Sequence, residues 1–255
     1  MSCNPTSSDP FEYYFYERAQ LADEMASTNH VVDAHTLATA SLDALATIWL
    51  HDFPNIKNKL ENEIGGAVPA SIRLARFLKQ FVADDSRVSK VAVVCFAQDW
   101  KKNRPQDACL ADKLLIERIG DSHTFPKSYL DISRTELAQE CPELNSRPDL
   151  CALAEEYEYG AILYTFYRCP LVHVATTSKR THGFVRGEEV KYCWSYDDND
   201  KVTIGFGSNL AACWLRKATR NYVQTCQQAG IVPANHIDAG TSQEDRLKKR
   251  WSRLR

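Results

Sequence analysis

The chain has 255 residues, of which 31 are basic and 33 acidic, so its formal net charge at pH 7 is −2. A chain of this length can bury a sizeable core, as one large domain or two small ones, without a disulfide scaffold. The near balance of charge excludes the strong positive field of a general nucleic-acid coat protein, so any contact with RNA or DNA must be local.

Nine cysteines are spread through the chain, and no two of them form a CxxC pair. An odd number in this arrangement is typical of reduced, buried thiols rather than of a secreted framework. The first residues lack the basic and apolar regions of a secretory signal, and no apolar run is long enough to cross a bilayer. We therefore expect a cytoplasmic protein that does not contact a membrane.

Hydrophobic periodicity predicts helices in the first third of the chain. After a flexible arm over 1–10, a first helix is expected over 11–25. Asn29 is the expected N-cap of a second helix that Pro54 ends. A third helix begins near Pro69 and places its basic side chains nearer the solvent: Arg73, Arg76 and Lys79.

The middle of the chain is less clearly patterned, and the structure of 84–148 stays open. The run 90–100 fits a buried helix or a strand equally well. A helix is predicted over 110–120, and Ser133 with Glu136 forms a capping-box pattern before a short helix that ends at Pro142.

The last third of the chain predicts two long helices on either side of a hairpin. The strongest helical pattern opens at Pro148 and runs through LYTFY to Arg168. KYCWSY and KVTIGF flank DDND, which predicts a β-hairpin. Ser208 is the expected cap of a final helix ended by Gly230, followed by a linker and basic tail over 231–255. We expect one all-α helical domain over 11–230, with the hairpin inserted before its last long helix.

The segment RCPLVH at 168–173 carries the chemistry. Arg168 and His173 are five residues apart, so an uninterrupted helix would point them about 140° away from each other. Pro170 has no N–H to donate and disfavours helical conformation at Cys169. We therefore expect the helix to break or kink near Arg168 and bring His173 round to the guanidinium.

An arginine beside a histidine supplies the groups for cleaving RNA without a metal. The guanidinium holds a phosphate through paired hydrogen bonds and neutralises charge that develops on phosphorus. The imidazole takes the proton from a 2′-OH and returns one to the 5′-oxygen. The expected products are a 2′,3′-cyclic phosphate and a 5′-OH, with no cofactor required.

LYTFYRCPLVH (163–173) resembles the Arg-x4–6-His signature of the HEPN superfamily, helical bundles that act in RNA cleavage, toxin-antitoxin systems and antiviral defence. The resemblance implies a HEPN-like bundle, a homodimer with a composite site, and Arg168 and His173 as catalytic residues. Asp43, on an earlier helix, is a further candidate for the site. Cys169 departs from the pattern, because active members commonly carry Asn, Asp or His there and a thiol is a weak hydrogen-bond partner.

Basic residues after the motif and in the tail are the expected contacts to an RNA backbone, and one tryptophan could stack on a base. They are Lys179, Arg180, Arg186, Lys248, Lys249, Arg250 and Trp251. The same charges would suit docking of an antitoxin or another protein partner.

Two other interpretations fit the same residues. The bundle can be a non-catalytic module that binds RNA or a protein, with Arg168 paired to a carboxylate. Alternatively, a zinc ion can be held by residues that are close in sequence but irregularly spaced: Cys169, His173, His182 and Cys193.

Overall fold

The structure is a computed structural model that describes residues 9–119, 126–174, 176, 178–182, 187–195 and 201–233. These residues are mostly helical, with two short pairs of antiparallel strands. The prediction of a helical protein with a small β-hairpin is therefore confirmed. Within the described residues, no helix combines the length and apolar character needed to cross a membrane.

Four helices form the first third of the chain: α1 (Pro10–Ser27), α2 (Val31–Asp52), α3 (Pro54–Ile64) and α4 (Ala70–Phe81). Asp9 caps α1 by accepting a hydrogen bond from the Phe11 N–H. The prediction of Asn29 as a helix cap is wrong, because His30 occupies that position and Asn29 adopts a left-handed φ of 74° between the two helices. Pro54 ends α2 as predicted but also opens α3, since proline suits the first turn of a helix.

The middle of the chain contains three helices: α5 (Val93–Asn103), α6 (Ala108–Ile119) and α7 (Arg134–Glu140). The ambiguous run 90–100 divides between β1 (Lys90–Val91) and the start of α5. β1 pairs with β2 (Ile132–Ser133) in antiparallel register. The predicted capping box is confirmed, with the Ser133 side chain accepting from the Glu136 N–H and the Glu136 carboxylate accepting from the Ser133 N–H.

In the structure, the residues of the strongest predicted helix form two separate helices. α8 (Pro148–Glu156) ends where the Tyr157 carbonyl accepts a hydrogen bond from the Ala92 N–H. A new helix then runs through α9 (Tyr159–Ile162), a π-helical segment (Leu163–Arg168) and α10 (Cys169–Val174). We call these three consecutive segments the motif helix. Periodicity did not reveal the interruption, because apolar residues on both sides of it are buried.

The hairpin and the last helix lie where the sequence predicts them. β3 (Val190–Trp194) pairs antiparallel with β4 (Val202–Phe206), and Val190 lies opposite Phe206. α11 (Ser208–Ala229) follows, with Gly207 rather than Ser208 at its N-cap and Gly230 at its C-terminus in a left-handed conformation.

Helices from both ends of the chain share one hydrophobic cluster. α11 packs against α1, α2 and α4, and the motif helix packs between α2 and α4. The largest fully buried side chains include three tryptophans from different helices: Trp49, Trp100 and Trp214. This packing fixes the motif helix against α2 and thereby positions the candidate site.

Candidate functional site

The helix continues through Pro170, so the predicted break near Arg168 is wrong, although the helix is distorted just before that point. Cys169 has helical backbone angles (φ −64°, ψ −52°), and α10 runs on to Val174. The distortion lies upstream of the proline, where the Cys169 N–H donates to the Tyr164 carbonyl five residues earlier. This wider turn is the π-helical segment, and such segments are frequent at functional sites.

A distant amide replaces the hydrogen bond that Pro170 removes. In a regular helix the carbonyl of Phe166 would accept from the N–H of residue 170, which proline lacks. Here the Ser178 N–H donates to the Phe166 carbonyl at 3.2 Å. Because a buried carbonyl is costly without a partner, this contact lets the helix pass through the proline.

Arg168 lies against a buried carboxylate of α2. Its Nε is 2.9 Å from Oδ2 of Asp43, whose side chain is 8% exposed. The Nε–H is not aligned for a hydrogen bond, so the contact is an ion pair. The guanidinium also lies over the ring of Tyr164, 5.4 Å from its centroid. The suggestion that Asp43 faces the motif agrees with this contact.

A second arginine, which the sequence did not single out, shares the same carboxylate. Arg73 of α4 donates from Nη2 to Oδ1 of Asp43 at 2.6 Å. One buried aspartate therefore holds two guanidinium groups from different helices, and we call Asp43, Arg73 and Arg168 the diarginine cluster. The sequence feature that pointed to this contact was the row of basic residues on α4. Periodicity does not show that the partner carboxylate, Asp43, lies 30 residues earlier on another helix.

The diarginine cluster carries one surplus positive charge, because two guanidinium groups face one carboxylate. The side chains of Arg168 and Arg73 are 22% and 19% exposed, so the cluster reaches the surface. Among the described residues, Nη1 and Nη2 of Arg168 have no hydrogen-bond partner, whereas the unpaired Nε–H of Arg73 is buried and out of reach of a ligand. The cluster therefore keeps donors that an anion can use.

The other basic side chains of α4 lie on its more exposed face, as the sequence predicts, and they are paired with carboxylates there. Arg76 lies 2.8 Å from Glu155, and Lys79 lies 2.5 Å from the fully buried Glu158. Arg134 of α7 bridges both carboxylates at 3.1 and 3.0 Å. Burial raises the pKa of Glu158 and lowers that of Lys79, although each partner opposes the shift of the other. These ion pairs fix α4 against α8 and so hold Arg73 in place.

His173 is exposed on α10, five residues or about 1.4 helical turns beyond the arginine. Because the helix is continuous, its Cα–Cβ direction is about 140° round the axis from that of Arg168. The structure thus brings Arg168 together with Asp43 and Arg73, and it does not turn His173 of the same chain towards them. Cys169, between the two, is half-buried.

The predicted RNA contacts divide into three groups. Lys179 is exposed. Arg180 is occupied by structural contacts, since its guanidinium pairs with Asp99 and donates to the Tyr157 hydroxyl at 2.9 Å. The remaining candidates lie outside the described residues: Arg186, Lys248, Lys249, Arg250 and Trp251.

The zinc alternative requires its four ligands to meet. Among the residues that the structure describes, no group of three or more His, Cys, Asp or Glu side chains is arranged to hold a metal ion. His182 instead lies beside β4, 3.3 Å from the hydroxyl of Thr203, and burial lowers the pKa of its ring.

Comparisons with known proteins add no assignment: no protein-family model, curated protein or solved structure matches the chain.

Proposed function

We propose that this chain is a HEPN-type helical bundle that cleaves RNA as a homodimer, without a metal ion, in toxin or antiviral-defence chemistry. The observation that carries the proposal is the diarginine cluster, a partly exposed pair of guanidinium groups with a surplus positive charge, five residues from an exposed histidine. The fold and the site are compatible with the Arg-x4-His resemblance.

The diarginine cluster suits a phosphodiester. Asp43 fixes both guanidinium groups from behind, so they need little reorganisation when an anion arrives. Arg168 offers its Nη groups to two phosphate oxygens, and Arg73 adds charge beside them. This arrangement stabilises the extra negative charge that develops as phosphorus becomes pentacoordinate.

Two chains are needed because Arg168 and His173 of one chain project in different directions. A two-fold axis beside α10 would place the imidazole of one protomer opposite the guanidinium of its partner and generate two equal sites. Val172, next to His173, exposes 43% of its surface, which a docked second copy would cover.

The proposed reaction needs only these groups and RNA. One imidazole removes the proton from a 2′-OH, and the oxygen attacks phosphorus while the bond to the 5′-oxygen breaks. That oxygen receives a proton from an imidazolium. The products are a 2′,3′-cyclic phosphate and a 5′-OH, so the charge of the RNA is conserved.

The test is RNA cleavage by the purified full-length chain in the presence of a chelator. We expect Arg168→Ala to reduce the rate about 100- to 1000-fold and His173→Ala about 100- to 10,000-fold. Arg104→Ala is the matched control, because Arg104 also pairs with an aspartate, Asp149, but lies outside the diarginine cluster. Unchanged cleavage by both motif variants would exclude the mechanism.

Mixing the two inactive variants tests the dimer. If each site takes arginine from one chain and histidine from the other, a mixed dimer retains one intact site. Random re-association then restores about a quarter of the wild-type activity, since half of the dimers are mixed and each has one working site. A site built within one chain gives no restoration.

A non-catalytic HEPN-like module is the second candidate, and the ion pair between Arg168 and Asp43 favours it. An arginine neutralised by a buried carboxylate can serve packing alone, and Cys169 gives little help to a reacting phosphate. This candidate predicts binding of RNA, an antitoxin or another protein without a cyclic-phosphate product, so analysis of the RNA ends distinguishes the two functions.

A further inference from the structure

A second concave site lies on a different part of the molecule. The α5–α6 pair and the adjoining ends of β3 and β4 enclose a cleft of about 1070 Å³. None of its lining residues belongs to the diarginine cluster. A volume of this size is near the upper end of the range for small-ligand sites.

One side of the cleft is apolar. It is formed by Leu115, Ile116 and Ile119 of α6 and by Trp194 of β3. Ile116 is 73% exposed, whereas Leu115 and Ile119 are partly buried beside it. An aromatic side chain beside exposed aliphatic ones offers a surface on which a flat ring can stack.

The floor of the cleft is held by paired charges. Arg180 forms an ion pair with Asp99, and both contact the hydroxyl of Tyr157. At the rim, Lys101 of α5 lies 2.6 Å from Asp112 of α6. These pairs cancel each other's charge and join α5, α6 and the chain before the hairpin, so the cleft has firm walls.

Two lysines that line the cleft take no part in these ion pairs. Lys102 of α5 and Lys201 at the start of β4 line the cleft, and neither has an ion-pair partner among the described residues. The described lining thus contains four cations and two anions, a surplus of two positive charges. A phosphate monoester, which carries about −1.5 to −2 at pH 7, can pair with two such ammonium groups.

We propose that the cleft binds a nucleotide, with the base stacked on Trp194 and the phosphate held between Lys102 and Lys201. The base contacts the apolar wall, and the phosphate pairs with the two lysines that have no ion-pair partner among the described residues. Arg180 and Asp99 face the ligand from the floor, where they offer a donor and an acceptor to the edge of the base. The proposal is independent of RNA cleavage at the diarginine cluster.

The experiment titrates the full-length chain with nucleoside 5′-monophosphates and follows tryptophan fluorescence and the heat of binding. We expect saturable binding that Trp194→Leu weakens about 10-fold and Trp194→Phe weakens less, because phenylalanine still stacks. Lys102→Gln and Lys201→Gln should each weaken binding about 10-fold. Lys113→Gln, an exposed lysine of α6 outside the cleft, should bind like the wild type.

Three results would overturn the proposal. Mononucleotides that show no saturation at about 5 mM would exclude a specific site. Inorganic phosphate that binds as tightly as a mononucleotide would exclude stacking of the base. Equal binding by Trp194→Leu and the wild type would place the ligand elsewhere.

Discussion

His35 lies directly beneath the motif helix and should make the stability of the protein depend on pH. It is fully buried on α2, and its ring lies 4.9 Å from that of Tyr167. The Tyr167 hydroxyl in turn accepts the N–H of Phe206 in β4. Burial lowers the pKa of His35 from 6.5 to about 4, although an interaction with the Phe206 backbone opposes the shift. The histidine is therefore neutral in the folded protein at neutral pH.

The size of the effect follows from the two pKa values. Above pH 6.5 His35 is unprotonated in both the folded and the unfolded chain, so its burial does not reduce the free energy of unfolding. As the pH falls below 6.5 the unfolded chain binds a proton first, so stability is lost until the pH reaches the folded pKa. Linkage gives a loss of about 2 kcal/mol between pH 7 and pH 5, and about 3 kcal/mol in full.

A buried carboxyl group changes stability in the opposite direction. Asp131 accepts hydrogen bonds from the hydroxyls of Tyr159 and Tyr192, both at 2.6 Å, and from the Val93 N–H. Burial nevertheless raises its pKa from 3.8 to about 6. The stabilisation that results from this raised pKa is complete below pH 3.8 and is lost as the pH rises through 6. It therefore adds about 1 kcal/mol to the free energy of unfolding when the pH falls from 7 to 5. Because the two effects oppose each other, the free energy of unfolding of the wild type should change only slightly between pH 7 and pH 5.

The assay is urea unfolding at pH 7, 6 and 5 and constant ionic strength, comparing wild type with His35→Gln and Asp131→Asn. The free-energy difference between wild type and His35→Gln should fall by about 2 kcal/mol from pH 7 to pH 5. The difference between wild type and Asp131→Asn should rise by about 1 kcal/mol. A difference for His35→Gln that stays constant over this range would refute the argument that burial keeps the ring neutral.

Three substitutions test the packing around the site by the same unfolding assay. In Gly160→Ala, the added Cβ would lie 2.7 Å from the Cα of Ala75, so we expect a loss of about 2 kcal/mol, and no loss would disprove the close approach. Asp43→Ala leaves two facing guanidinium groups without their carboxylate and should cost about 3 kcal/mol, whereas a cost below about 1 would show that the ion pairs contribute little. Ser178→Pro removes the N–H that the Phe166 carbonyl needs and should cost about 2 kcal/mol, while Ser178→Ala keeps it and serves as the control.

Local signals in the sequence predicted individual elements well. The capping box at Ser133, the hairpin around DDND and the C-terminal glycine of α11 depend on residues at most a few positions apart, and the structure contains all three. Such features are determined by short-range hydrogen bonds and backbone preferences, which the sequence displays directly.

The structural features that the sequence did not predict depend on contacts between residues far apart in the chain. The helix pattern after Pro148 gave no sign of the turn at Tyr157, because that turn is stabilised by Ala92, which is 65 positions away. The sequence placed Arg73 on the more exposed face of α4 but gave no sign of its partner Asp43, which lies on another helix. Periodicity shows which face of a helix is polar, but it does not show what that face meets.

Pro170 shows how such a contact changes a functional prediction. Local chemistry correctly indicates that proline removes one helical hydrogen bond, and a break follows if nothing replaces it. The Ser178 amide replaces it, so the motif helix stays continuous and carries Arg168 to Asp43 rather than to His173 of the same chain. The arginine is consequently held against Asp43 of α2, and the histidine is exposed on another side of the helix. If these two residues cleave RNA together, the geometry requires a second chain, which is why restoration of activity in mixed dimers is the decisive measurement.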